Sequence, residues 1–118
     1  MRALIGFENI FICNVRVDFR KSIDGLSKIV ESELELNLFA RNLFVFFNKQ
    51  KDKAKILYWD HSGFALWLKR LEKDKFQLKG APKEAVVTLT PSQLDMLLSG
   101  IDVWKMRPHE ALKITRVS

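Results

Sequence analysis

The sequence is poor in the residues that build disulfide frameworks and metal sites. Its 118 residues include one cysteine and two histidines. A single cysteine, Cys13, excludes a framework of internal disulfides. Because it follows Phe11 and Ile12, we expect a buried, inert thiol rather than a nucleophile, which needs an accessible, electropositive setting. His61 and His109 are isolated, and no Cys/His spacing typical of a zinc site is present.

Long apolar runs and nucleotide-binding loops are also missing. No run approaches the roughly 20 apolar residues that a membrane-spanning helix needs. The apolar stretch at the N-terminus is short and is interrupted by Glu8, so it does not resemble a secretory signal, and a cytoplasmic location is expected. The sequence contains no glycine-rich phosphate loop, and we predict no cofactor.

Few carboxylates stand where a catalytic centre would need them. Metal-dependent hydrolysis of DNA requires several carboxylates that converge on the metal ions. Asp18, Asp24 and Asp60 are the candidates near the ends of predicted elements. Asp18 is better explained as a helix cap and Asp60 as a turn residue. We therefore predict that the protein is not an enzyme.

The composition is that of a folded domain. Hydrophobic residues make up 47% of the chain and charged residues 29%, enough apolar surface to offset the entropy lost on folding. A chain of this length predicts one domain, residues 1–118. Beyond Gly100 the hydrophobic pattern is less periodic.

Hydrophobic periodicity predicts an α+β fold. Strands are expected at residues 9–17, 42–47, 54–59, 64–71, 75–78 and 86–89. The short turns between the middle strands indicate an antiparallel meander of four to five strands. The turn at residues 60–63 can hold a loop of two or of three residues, and each choice places Trp67 opposite a different partner.

Two helices are predicted beside this sheet. The first begins at Phe19 or Arg20 with Asp18 as its cap, and its buried face comprises Ile23, Leu26, Val30 and Leu34. The second begins after Thr90, where Pro91 and Gln93 complete a capping box, and ends at Gly100.

The positive charge is concentrated in the middle of the chain. The net charge is +6, and residues 41–83 hold eleven basic and four acidic side chains. Such concentration is typical of a surface that contacts a polyanion. The alternative is a lysine-rich hairpin that is merely solvated.

Four lysines recur at every second position: Lys49, Lys51, Lys53 and Lys55. In an extended arm they would share one face at intervals of roughly 6.6 Å, which suits contact with successive phosphates of a nucleic acid. Lysine lacks the planar fork of arginine, so such contact would be indifferent to sequence. The alternative is an edge strand that its lysines protect from aggregation.

Two cations accompany the predicted start of the first helix. Free amides at a helix N-terminus, together with Arg20 and Lys21, could hold a phosphate. Because cations there oppose the helix dipole, a functional reason is favoured over chance. The aromatic residues Tyr58, Trp59 and Trp67 are more typical of packing than of a base-stacking platform.

Six segments of the chain form a distinctive combination: VDFRKSIDGL at 17–26, LFVFFN at 43–48, KILYWD at 55–60, FALWLKRLEKDK at 64–75, LTPSQL at 89–94 and LLSGI at 97–101. In this order and spacing they resemble a known family, the accessory proteins of the TnpB or Orf2 type from insertion-sequence family sixty-six. The resemblance covers about residues 9–102, which leaves residues 103–118 as a C-terminal tail. The resemblance implies a bacterial transposition protein encoded beside a separate transposase, with no catalytic residues. It adds Lys69 and Arg70 to the candidate contacts.

Two functions fit these observations. The first is a module that binds DNA, at the ends of the mobile element, through Arg20, Lys21, Lys69, Arg70 and the four alternating lysines. The second is an adaptor that binds the transposase of the same element and touches DNA little.

Overall fold

The computed structural model describes residues 6–105 and contains one five-stranded sheet with two helices. The strands are β1 (Asn9–Cys13), β2 (Asn42–Phe47), β3 (Lys53–Asp60), β4 (Gly63–Arg70) and β5 (Val86–Leu89). The helices are α1 (Ile23–Lys28), which a π-helical turn at Ile29–Glu33 continues, and α2 (Pro91–Leu98). The strand order is β4-β3-β2-β1-β5, and the predicted α+β class is confirmed.

The central strand β2 is buried on both faces. All six of its residues are buried, which explains its uninterrupted apolar sequence. Leu43 and Val45 point into the cluster that α2 covers, whereas Phe44 and Phe46 point into the cluster that α1 covers. The sheet therefore separates two cores, and alternate apolar residues of β1, β2, β3 and β4 belong to different ones.

The predicted meander is present in β2, β3 and β4, which pair antiparallel in sequence order. Asp60 pairs with Gly63, so only His61 and Ser62 form the loop. His61 adopts a φ of 55°, as a tight hairpin turn requires. This two-residue loop places Trp67 opposite Ile56 and settles the register that the sequence left open.

The first strand pairs with β2 in parallel, which the meander pattern did not indicate. Parallel neighbours need a crossover connection, and residues 14–41, which contain α1, supply it. Both strands consequently end on the same side of the sheet, β1 at Cys13 and β2 at Phe47. The candidate site lies at these two strand ends.

Two predicted boundaries in the crossover are wrong. Strand β1 ends at Cys13 rather than at residue 17, because Val15 and Val17 pack against the α1 cluster without pairing in the sheet. Helix α1 begins at Ile23 with Ser22 as its N-cap, not at Phe19 or Arg20.

The predicted strand at residues 75–78 is absent. Only Phe76 is buried there, with its ring centroid 5.1 Å from that of Phe47, and its amide donates to the carbonyl of Lys51 at 2.7 Å. One aromatic anchor thus holds this segment beside the end of β2.

Helix α2 begins and ends as predicted. The Thr90 hydroxyl accepts from the amide of Gln93 at 3.2 Å, and the Gln93 side chain accepts from the amide of Thr90 at 2.9 Å. Gly100 follows the helix with a φ of 91°. Residues 106–118 of the predicted tail lie outside the described residues. Between residues 6 and 105, no helix has the length and apolar character to cross a membrane.

Candidate nucleic-acid interface

Three adjoining depressions extend from the ends of β1 and β2 along the crossover to α1. The central one, about 460 Å³, is lined by Asn14, Arg16, Phe47 and Lys49 among others. It shares Asn14 and Lys51 with a depression of about 410 Å³ on one side. On the other side it shares Arg16 and Val17 with one of about 300 Å³. We call the three together the basic groove.

The side chains that line the basic groove are predominantly cationic. The cations are Arg16, Lys21, Lys28, Lys49, Lys51, Lys75 and Lys79, and the anions are Asp18 and Glu33. The negative charge of Asp18 is already balanced, because its carboxylate forms an ion pair with the Arg20 guanidinium at 2.7 Å. Hydrogen bonds from the side chain and the backbone amide of Arg20 hold the pKa of Asp18 well below its usual range. The groove therefore presents a strongly positive surface.

A buried asparagine shapes the turn that carries Lys49 and Lys51. The Asn48 side-chain oxygen accepts from the amides of Asp52 and Lys53, both at 3.0 Å. Its amide group donates to the Asp52 carboxylate at 2.5 Å, which lowers the pKa of that carboxyl. Lys51 adopts a φ of 61° within this turn. The turn brings the side chains of Lys49 and Lys51 to the groove, although neither residue lies on an extended strand.

The segment before α1 is held on the sheet by Lys55. Its ammonium group donates to the carbonyls of Phe19 at 2.6 Å and Lys21 at 2.7 Å. It also lies 4.7 Å from the centroid of the Phe19 ring. Lys55 thereby positions the chain that brings Lys21 to the groove.

The Lys21 side chain packs closely under α1. A Cβ atom at Gly25 would lie 3.0 Å from the Cβ and Cγ of Lys21. A larger residue at position 25 would therefore displace the alkyl chain of Lys21, and glycine leaves it room.

Three of the eight predicted contact residues line the groove: Lys21, Lys49 and Lys51. Arg20 and Lys21 lie in a turn ahead of α1, so the argument from amides at a helix start is wrong. The extended row of four lysines is also wrong, because residues 49–52 form a turn and Lys55 is bonded to backbone carbonyls.

The predicted contacts Lys53, Lys69 and Arg70 lie on β3 and β4. Lys53 pairs with Arg70 across β3 and β4, and Lys69 pairs with Ala54. The Arg70 guanidinium donates to Glu72 at 2.9 Å. A role of these residues in binding nucleic acid stays a prediction.

Four groove residues were missed from sequence: Arg16, Lys28, Lys75 and Lys79. Arg16 fell within a predicted strand, and Lys75 stood at the start of another. The concentration of cations in residues 41–83 was the available signal for Lys75 and Lys79, and Arg16 and Lys28 lie outside that range. The charge pattern could not show that the cations gather at the ends of β1 and β2, because the parallel pairing of these strands was not expected.

Among residues 6–105, the aromatic and acidic side chains offer no second candidate site. Tyr58 is buried against Phe7, and Trp59 packs edge-on against Phe39 and Phe64 at 5.1 and 5.0 Å between ring centroids. Burial raises the pKa of the Cys13 thiol to about 12, consistent with the inert thiol that was expected. In the described part of the chain, no three His, Cys, Asp or Glu side chains gather as a metal site would require.

Comparison with known proteins identifies the family. The model of the IS66 Orf2 like protein family matches residues 8–108. The chain belongs to this family. IS66 Orf2 like proteins are transposition accessory proteins of insertion sequences, which confirms the resemblance noted in the sequence.

Two relatives of this IS66 Orf2 like chain come from Sinorhizobium fredii (strain NBRC 101917 / NGR234). The uncharacterized protein y4jC is 30% identical over 109 residues, which is 92% of each chain. The uncharacterized protein y4hO is 34% identical over 108 residues, 92% of this chain and 91% of y4hO. No solved structure is a significant match.

Proposed function

We propose that this transposition accessory protein binds DNA through the basic groove. The observation that carries the proposal is the gathering of seven cations against two anions along three adjoining depressions. An elongated polyanion can neutralise such a row, and each phosphate contact releases counterions from the DNA. The cations are mostly lysines, so the contacts position the backbone without reading bases.

Four of the cations are available to a ligand. The side chains of Arg16, Lys28, Lys49 and Lys79 are exposed, and within residues 6–105 they make no hydrogen bond or ion pair. Their charges are not compensated by the fold. A bound phosphate backbone supplies the compensation without breaking an existing contact.

The test is a titration of duplex DNA from the element ends at several salt concentrations. A groove variant changes Arg16, Lys28, Lys49 and Lys79 to Gln. A matched control changes Lys53, Lys69, Lys73 and Lys83, which lie outside the groove, and lowers the net charge equally. We expect the groove variant to bind weakly and to lose about 3 to 4 units from the slope of log affinity against log salt. The control should keep most of both.

Equal weakening of the two variants would show that overall charge, not the groove, attracts DNA. Unchanged affinity in the folded groove variant would overturn the proposal. The adaptor function is then tested in nuclease-treated lysate. An adaptor would remain bound to the transposase after the DNA is digested, whereas a DNA-binding module would be released.

A further inference from the structure

Strand β4 forms an open edge of the sheet. It is the outermost strand on its side, and within residues 6–105 no other strand pairs with it beyond β3. The amide of Leu71 donates to the carbonyl of Asp52 on the β3 side. Because hydrogen bonding alternates along an antiparallel strand, the backbone groups of Phe64, Leu66, Leu68 and Arg70 face outward.

The side chains of this edge are apolar where most edges are protected. Natural sheets protect an edge with charges, prolines or bulges. Residues 64–68 of β4 have none of these, and its cations, Lys69 and Arg70, stand at one end. Leu68 is 58% exposed and Trp67 37% exposed. An unpaired strand edge with five consecutive apolar residues is a template for another strand.

We infer that β4 pairs antiparallel with β4 of a second copy of this chain, about a two-fold axis at Leu66. This register places Phe64 opposite Leu68 of the second copy, and the reverse, with the two Leu66 side chains between them. Three apolar cross-strand pairs then continue one face of the sheet. The exposed Leu68 is covered by Phe64 of the second copy.

The sizes and charges of the facing side chains favour β4 of a second copy as the strand that pairs with this edge. On the opposite face Trp67 meets Ala65, and Lys69 meets Gly63, so each large side chain faces a small one. An antiparallel arrangement also sends Lys69 and Arg70 of the two copies to opposite ends. A parallel strand of the same sequence would instead place these cations side by side, which is destabilising. The two-fold pairing closes the edge, as an isologous dimer requires.

The dimer is tested first by sedimentation of the full-length chain over a wide range of concentrations, without DNA. The parent chain should sediment as a dimer. Leu68→Glu should shift it to monomer, because the carboxylate would lie against Phe64 of the second copy. Ile101→Glu is the matched control, since Ile101 is 42% exposed and outside β4. A monomeric parent chain, or equal dissociation of the two variants, would overturn the inference.

The register is tested by oxidative crosslinking. Two Cα atoms at a hydrogen-bonded antiparallel pair are about 5.5 Å apart, which suits a disulfide. Leu66→Cys should therefore form a covalent dimer. Leu68→Cys should not, because the two copies of residue 68 would be about 14 Å apart. Residue 68 is the more exposed, so random collisions would favour it, and efficient crosslinking there would contradict the register.

This inference does not depend on what the basic groove binds. Leu68 does not line the groove, so Leu68→Glu should retain affinity for a short duplex that spans one groove. Loss of the dimer and loss of DNA binding are therefore separate results.

Discussion

Lys55 is a structural residue although its position in the sequence resembles that of a ligand contact. Two other members of the alternating series, Lys49 and Lys51, line the groove, whereas the ammonium group of Lys55 binds the carbonyls of Phe19 and Lys21. Spacing alone could not separate these roles. The distinction depends on a contact between residues more than thirty positions apart, which no local pattern reveals.

Replacement of Lys55 by Met should destabilise the fold. The variant keeps the alkyl chain but leaves two carbonyls without their charged donor, and we expect a loss of about 1 to 3 kcal/mol in the free energy of unfolding. Lys53→Met, on the same face of β3, is the control and should change stability by less than about 0.5 kcal/mol. Urea denaturation followed by tryptophan fluorescence measures both. Equal stability of the two variants would contradict the role given to Lys55.

At the scale of elements, the sequence predicts well where local chemistry decides the structure. Helix α2 has its cap, its proline and its closing glycine within one short segment, and all three function as predicted. Strand β2 is recognisable from its continuous apolar residues. Helix α1 was misplaced because Asp18, a plausible cap, instead binds Arg20 in the turn before the helix.

The capping box of α2 predicts a measurable cost for its loss. Thr90→Ala removes the acceptor for the Gln93 amide and should reduce stability by about 1 kcal/mol. Thr90→Ser keeps a hydroxyl at the cap and should remain close to the parent chain. Thermal or urea unfolding of the pair measures the difference. A Ser variant as unstable as the Ala variant would show that the threonine methyl, not its oxygen, matters.

At the scale of the whole molecule, the groove results from topology rather than from any one segment. Its cations come from the crossover, from the turn after β2 and from the segment around Phe76. These segments meet because β1 and β2 run parallel and end together. Charge counts along the sequence therefore predicted a positive surface but could not assign all its members.

The same parallel pairing leads us to expect a particular order of folding. Strands β2, β3 and β4 are joined by short turns, whereas β1 must close the crossover of residues 14–41 and then pair with β5, far along the chain. Distant pairings form more slowly, because closing a long loop costs more entropy before contacts reward it.

Refolding should therefore proceed from the three-stranded hairpin unit outward. Trp59 and Trp67 lie in that unit and Trp104 lies outside it, so in a Trp104→Phe variant the tryptophan signal reports on the unit alone, while the buried thiol of Cys13 reports on β1. In a refolding experiment with pulses of a thiol reagent, we expect the tryptophan signal to reach its native value before Cys13 becomes protected. Simultaneous protection would indicate that the long crossover closes in the rate-limiting step. If the tryptophan signal recovers before Cys13 is protected, the groove forms last. A nascent chain would then acquire its capacity to hold DNA only when β1 docks.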